Sequence, residues 1–217
     1  MKIETWIPIY ARICADIGID PKNDFLSSAR LSLILGRKSN IQKLNSFRND
    51  VFEVFGNAPE INFQGISENS VVVVADSALP RVRSAGIDPD IIVTDLDGDP
   101  EGAIKCSEDG AVVVIHAHGD NANLIERYAG RFSENVIGST QNYPLHNIFN
   151  FFGFTDGDRA VFLAHYLGAR AIILRGFDFD RPQSMSGNLE RKRLKLKWAR
   201  YLITMLRDDE NVRIEFR

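Results

Sequence analysis

The run Asp90-Ile91-Ile92-Val93-Thr94-Asp95-Leu96-Asp97-Gly98-Asp99 sets carboxylates directly after an apolar, β-branched stretch. A buried parallel strand delivers side chains in this way to the carboxyl edge of a sheet, where open α/β folds bind ligands. Asp95 and Asp97 are two residues apart, so an extended strand would put both on one face. Two carboxylates aimed together repel unless a cation lies between them, and their hard oxygens suit Mg²⁺ with a phosphorylated ligand.

Other apolar runs end in the same manner. Gly56-Asn57-Ala58-Pro59 either brings backbone N–H groups to a nucleotide phosphate or is a plain tight turn. It is neither a GxGxxG nor a Walker A sequence, which weighs against nicotinamide cofactors and P-loop chemistry. Asp76, followed by Ser77, closes a run of four valines and an alanine. It suits a ribose, an amino group or a metal, or it caps a helix. His116-Ala117-His118-Gly119-Asp120-Asn121 alternates two imidazoles ahead of an acid. No third nitrogen or sulfur ligand stands at zinc spacing. The histidines therefore read as structural or phosphate-contacting, and Asp120 as a third carboxylate facing Asp95 and Asp97.

Three later segments add to this set. Gly153-Phe154-Thr155-Asp156-Gly157-Asp158-Arg159 precedes a helical pattern, so Thr155, Asp156 and Asp158 either cap that helix or line a pocket at its mouth. Arg175-Gly176-Phe177-Asp178-Phe179-Asp180 follows an apolar strand and sets a carboxylate beside aromatic rings, a good receptor for a flat, amino-bearing heterocycle. Between Glu190 and Trp198 the chain is strongly basic. On a helix, Leu194 and Trp198 face inward, and the cations form a solvated face or close over a polyphosphate.

These residues need a scaffold to hold them. The first 50 residues read as an N-terminal helical segment, with Trp6, Ile9, Tyr10, Ile13 and Ile17 at helical spacing and Gly18 as a stop. Further helices are expected from Asp24 to Leu35 and from Ile41 to Arg48. From residue 51 to 217, β-branched runs alternate with helix-compatible stretches, as in one catalytic domain. Strands are expected at Val51–Phe55, Val71–Ala75, Ile91–Thr94, Val112–Ile115, Val136–Gly138, Ala171–Arg175 and Val212–Phe216. Helices are expected at Asn121–Tyr128, Asp158–Leu167 and Leu189–Leu206. The class is α/β, a Rossmann-like, mostly parallel sheet with helices on both faces. Arg181–Asn188, with Pro182 and Gly187, reads as the most mobile stretch.

The whole chain narrows the field. Its 217 residues suit one large domain, and its 44% apolar and 25% charged residues are ordinary for a globular protein. A net charge of -3 does not favour nucleic acid. Two distant cysteines, Cys14 and Cys106, suggest neither zinc nor a disulfide framework and read as reduced thiols in a cytoplasmic protein. No run approaches the ~20 apolar residues of a membrane span.

Residues 89–98 resemble the strand and DxD of thiamin pyrophosphokinases, and Ala75-Asp76-Ser77-Ala78 is similar to the A-D-G-A loop of that family. Thr94 and Gly98 stand where that family has glycine and serine. A closer resemblance, across nearly the whole chain, is to archaeal 6-hydroxymethyl-7,8-dihydropterin pyrophosphokinases. It rests on Trp6 and Tyr10, the Gly56 loop, T-D-L-D-G at 94–98, H-x-H-G-D-N at 116–121, G-F-T-D-G-D-R-A at 153–160 and R-G-F-D-F at 175–179. The resemblance implies Mg²⁺-dependent pyrophosphoryl transfer from ATP to the pterin hydroxymethyl group, with AMP released, in folate or methanopterin-type cofactor synthesis. It also implies a homodimer. Asp95, Asp97 and Asp120 would hold the metal. Gly56, Asn57, Ala58, Asp76, Ser77, His118, Asn121, Lys192 and Lys195 would bind ATP. Thr155, Asp156, Arg175, Phe177 and Asp178 would bind the pterin. The alternatives are a thiamin pyrophosphokinase-like enzyme, a haloacid-dehalogenase-type phosphatase using Asp95-Leu96-Asp97-Gly98, a sugar-nucleotide transferase, and a non-enzymatic nucleotide- or nucleic-acid-binding module using the basic helix.

Overall fold

The structure, a computed structural model, describes residues 1–181, 189–208 and 212–217. Apart from Arg181, the stretch expected to be most mobile lies outside the described residues. The chain opens with helices α1 (Ile3–Ile17) and α2 (Pro21–Leu35), and Ile41–Phe47 forms a tighter 3₁₀ turn where an α-helix was expected. Gly18 ends α1 in the left-handed conformation at φ 73°, with its N–H on the Cys14 carbonyl. Asp20 caps α2, whose first residue is a proline, and so the helix starts three residues before the expected Asp24.

Eight strands follow: β1 (Val51–Phe55), β2 (Val71–Ala75), β3 (Ile91–Thr94), β4 (Val112–Ala117), β5 (Val136–Thr140), β6 (Ile148–Phe149), β7 (Ala171–Arg175) and β8 (Arg213–Phe216). They pair in parallel in the order β6-β5-β4-β3-β2-β1-β7-β8. The remaining helices are α3 (Leu79–Ser84), α4 (Pro100–Glu108), α5 (Ala122–Tyr128), α6 (Asp156–Tyr166) and α7 (Leu189–Arg207). The two-residue β6 and the short, proline-led α3 and α4 were not expected from the sequence.

Strand alternation builds a core on each face of the sheet. Val71, Val73, Val112 and Val114 join α1, α6 and α7 in one core. Their neighbours Val72, Val74, Val113 and Ile115 join α2, α3, α4 and α5 in the other. Covered on both faces, the strands can be apolar throughout, which is why β2 reads as four valines. Trp6 and Tyr10 of α1 belong to the first core. Sheet order reverses at β1, whose neighbours are β2 and β7, and a crevice opens at such a reversal beyond the carboxyl ends of the strands.

Candidate active site

A cleft of about 340 Å³ runs along that carboxyl edge, from the β1–β7 reversal at one end to β4 and β5 at the other. At its middle, carboxylate oxygens of Asp76, Asp95 and Asp156 lie within 4.8 Å of one another. Each acid is fixed by its local backbone. Asp76 follows β2, is 5% exposed, and accepts a hydrogen bond from the Thr94 hydroxyl at the end of β3. Thr94 also accepts from the Leu96 N–H at 2.8 Å. Asp156 opens α6, whose first turn is closed by Asp158 accepting the Thr155 N–H at 2.8 Å.

Asp95 and Asp97 meet differently from the expectation of a shared strand face. β3 stops at Thr94, and Leu96 turns the chain at φ 72° with its side chain buried. A leucine in the left-handed region carries a backbone cost of about 1–2 kcal/mol; the apolar contacts of its buried side chain hold the turn in place. The turn lets the Asp97 N–H donate to Asp95 Oδ1 at 3.2 Å. Gly98 then passes so near the cluster that a Cβ there would sit 2.1 Å from Asp76 Oδ2. Gly98→Ala is expected to displace the Asp76 carboxylate and to lower the melting temperature through an overpacking cost of about 1–3 kcal/mol. Thermal unfolding with and without Mg²⁺ checks this, since the variant should lose most of any stabilisation by the ion.

Acids crowded in this way resist ionisation. Burial, then the charges of Asp95 and Asp97, push Asp76 up to about 8. Burial and the charges of Asp95 and Asp76 hold Asp156 well above the usual carboxylate range. Desolvation opposes ionisation at Asp95 too, but the His118 imidazole, 3.2 Å from Asp95 Oδ2, and Asp97 bring it below that range. A site of three oxygen donors, two of them strained towards the neutral acid, is short of positive charge. Its chemistry fits a divalent cation that prefers oxygen ligands.

Several expected site residues lie outside the acid cluster. Asp120 lines the cleft but does not join the cluster; its side chain is 65% exposed and pairs with Arg191 at 3.1 Å. Asn121 is buried and already committed. Its amide donates to the Asp95 and His116 carbonyls and accepts from the His118 N–H, so it braces the loop between them. Arg175 is fully buried and is not among the residues that line the cleft. Its Nε donates to Glu53 Oε2 at 2.7 Å, and its other nitrogens hold the carbonyls of Asn62, Gln64 and Gly65. Asp178 lines the cleft while accepting from the Asp180 and Arg181 N–H groups.

The rest fall into place around the acids. Gly56, Asn57 and Ala58 share one end of the cleft with Phe177 and Asp178. The strands bring them together: the Gly56 N–H meets the Arg175 carbonyl at 2.8 Å, and a Cβ on Gly56 would strike the Gly176 carbonyl and the Phe177 ring. The two segments therefore form one continuous wall. Ser77, His118 and Thr155 line the middle, and Lys192 and Lys195 of α7 line the same cleft, with Lys195 near enough for its charge to act on Asp97. Sequence reasoning missed three contributors. Arg81 holds the Ala58 and Pro59 carbonyls at 2.7 and 2.8 Å. Asp24 and Gln141 join each other across 117 positions, and no local pattern marks that pairing.

A doubly wound parallel sheet with acids and lysines gathered in one cleft at its carboxyl edge defines an α/β protein of the ligand-binding, open-sheet class. Residues 33–184 match the profile of the family described as "6-hydroxymethylpterin diphosphokinase MptE-like". The chain is 39% identical, over 99% of both chains, to the 6-hydroxymethyl-7,8-dihydropterin pyrophosphokinase of Methanothermobacter thermautotrophicus. It is 37% identical to the enzyme of that name from Methanocaldococcus jannaschii, over 100% of this chain and 99% of the other. The chain belongs to the MptE-like 6-hydroxymethylpterin diphosphokinase family. A solved α-2,3/8-sialyltransferase shares the fold alone, at TM-score 0.50 and 13% identity, covering 76% of this chain and 80% of the other.

Proposed function

We propose that this chain transfers the β,γ-diphosphoryl unit of ATP to the hydroxymethyl oxygen of 6-hydroxymethyl-7,8-dihydropterin, with Mg²⁺ as the metal. The bond between the β-phosphorus and the oxygen bridging to the α-phosphate breaks. A bond from the pterin oxygen to the β-phosphorus forms, and AMP leaves. The observation that carries this reading is the convergence of Asp76, Asp95 and Asp156 in a cleft that Lys195 also lines, in a member of this family.

Such a transfer needs positioning and charge neutralisation more than covalent chemistry. A bound Mg²⁺ supplies charge neutralisation on the polyphosphate. Asp76, Asp95 and Asp156 are the residues that would hold it. Lys192 and Lys195 draw the polyphosphate against that cluster. The Gly56–Ala58 loop and Phe177 receive the nucleoside end at the sheet reversal. Asp97, pushed up by partial desolvation and by Asp95, takes the hydroxyl proton in this reading. The polyphosphate role of the basic helix is supported by Lys192 and Lys195 lining the cleft while Leu194 and Trp198 pack on the core. No helix among the described residues is long and apolar enough to cross a membrane. We place the reaction in folate or methanopterin-type cofactor synthesis, in a cytoplasmic homodimer.

Incubation with Mg²⁺-ATP and the dihydropterin is expected to yield AMP and the pterin diphosphate. ADP as the nucleotide product, or diphosphorylation of thiamin in preference, would defeat this reading.

Metal binding should also be linked to protons. Because Asp76 keeps its proton in the folded, metal-free protein up to about pH 8, against 3.8 for the ordinary carboxyl, the ion must displace it. Mg²⁺ affinity should therefore rise as pH climbs towards 8. Stability of the metal-free protein should fall over the same span, since the native state holds more protons than the unfolded one. Calorimetry in buffers of differing ionisation heat reads the released proton, and an affinity flat with pH would remove the acid cluster from metal binding.

A further inference from the structure

The β4–β5 end of the cleft carries two polar atoms that no group among the described residues satisfies. Nδ1 of His116 and Oε1 of Gln141 are buried without a hydrogen-bond partner. Both residues line the cleft, and both are 2% exposed. Native folds rarely leave such atoms unpaired, so a buried, unpartnered pair in a cleft wall points to a ligand.

The chemical character of each atom is set from behind. The Gln141 side-chain N–H₂ donates to the Asp24 carboxylate on α2. Asp24 is an acceptor, and it also takes the Tyr10 hydroxyl at 2.6 Å and the Gly119 N–H at 2.7 Å. The amide is thereby oriented with its carbonyl oxygen turned away from Asp24. On the other side, Arg159 Nη2 lies 3.2 Å from His116 Nε2. A guanidinium only donates, so Nε2 accepts and the neutral ring carries its proton on Nδ1. The two side chains are neighbours, close enough for Gln141 to favour the protonated His116 ring, but no hydrogen bond of ordinary geometry joins Nδ1 to Oε1. The wall therefore offers one acceptor and one donor together.

We propose that Gln141 and His116 read the lactam edge of a 4-oxopterin, with Gln141 Oε1 accepting N3–H and His116 Nδ1–H donating to O4. This rests on the pterin reading above and deepens it. The hydroxymethyl group sits at the far end of the bicyclic ring from that edge. A ring anchored at β4 and β5 thus extends towards the acids at the ends of β2 and β3, while the nucleotide occupies the β1–β7 end. Asp24 is a positioning residue: it fixes which end of the Gln141 amide meets the ring. Gly119 lets α2 come close enough to do so, since a Cβ there would lie 2.7 Å from Asn23 Cβ.

The test compares 6-hydroxymethyl-7,8-dihydropterin with its 2,4-diamino counterpart on the full chain. In the diamino compound N3 accepts and the 4-substituent donates, so both contacts are reversed. Wild type is expected to favour the 4-oxo compound by about 100-fold or more, both in affinity by calorimetry and in kcat/KM. Gln141→Met should raise KM for the 4-oxo compound tenfold or more and collapse the preference, with kcat and ATP affinity near wild type. Asp24→Asn, whose amide no longer dictates the orientation of Gln141, should weaken the preference as well, a result that a purely structural role would not give. Equal wild-type affinity for the two compounds overturns the inference, as does an undiminished preference in both variants. Selective 4-oxopterin binding without any AMP formation would instead sink the catalytic reading and leave this one standing.

Discussion

Asp95→Asn is expected to lower pyrophosphoryl transfer by about 10²–10³-fold, the loss typical when one well-placed electrostatic group is removed from a transition state. The melting temperature should stay at or above that of wild type. The reasoning runs from the cluster. Asp95 is the acid that ionises first, because His118 and Asp97 favour its charge, whereas Asp76 and Asp156 are held towards the neutral form. It is thus the first negative charge a cation meets. Asparagine keeps the shape and can still accept from the Asp97 N–H, so the Leu96 turn has no reason to open. It also removes a like charge from a crowded group, which relieves repulsion in the folded protein. Asp120→Asn is the matched control. That side chain stands 65% exposed against Arg191, and its loss should leave turnover close to wild type. AMP formation and thermal unfolding measured on both variants decide the matter. Equal inactivation by Asp120→Asn would return the metal-binding role to that loop.

The contrast between these two acids shows what a sequence can carry. Strand ends are legible because β-branched runs stop abruptly, so β1, β2, β3 and β7 are bounded as expected. Acids placed just after such runs are legible too, and Asp76 and Asp95 do meet. Which third acid joins them is not a strand-end question. Asp156 arrives on the first turn of α6, a helix that packs across β1, β2 and β3. Asp120 begins a turn at β4 and is drawn outward by an arginine 71 positions away. Spacing in the chain is silent on both facts. β6, with two residues, is too short to show a period, and α3 and α4 are shorter than the window over which a helical stripe can be read. The pairing of Asp24 with Gln141 has the same opacity, since a buried polar contact leaves no signature in either local segment.

Arg175 is the sharper case, because its position misleads. An arginine at the end of an apolar strand, followed by glycine and phenylalanine, looks ready to meet a ligand. The structure buries it completely beside Glu53, with neither side chain exposed. Arg175→Met is therefore expected to act on stability. It leaves the Glu53 carboxylate uncompensated inside the protein, a loss of about 3–5 kcal/mol for breaking a buried ion pair. For a chain of this size that lowers the melting temperature by about 6–20 °C. It also strips donors from the Asn62, Gln64 and Gly65 carbonyls, in the loop that runs on from the Gly56–Ala58 wall. Below the new melting temperature KM for the pterin should change little. The double variant Glu53→Met with Arg175→Met should recover a large part of the lost stability, because removing both charges abolishes the penalty that removing one creates. Thermal unfolding of the two single variants and the double variant, read beside KM, separates the possibilities. A pterin KM raised many-fold with an unchanged melting temperature would mean that Arg175 leaves Glu53 to bind substrate. Non-additive recovery in the double variant would instead show a buried pair whose work is to brace the wall of the cleft.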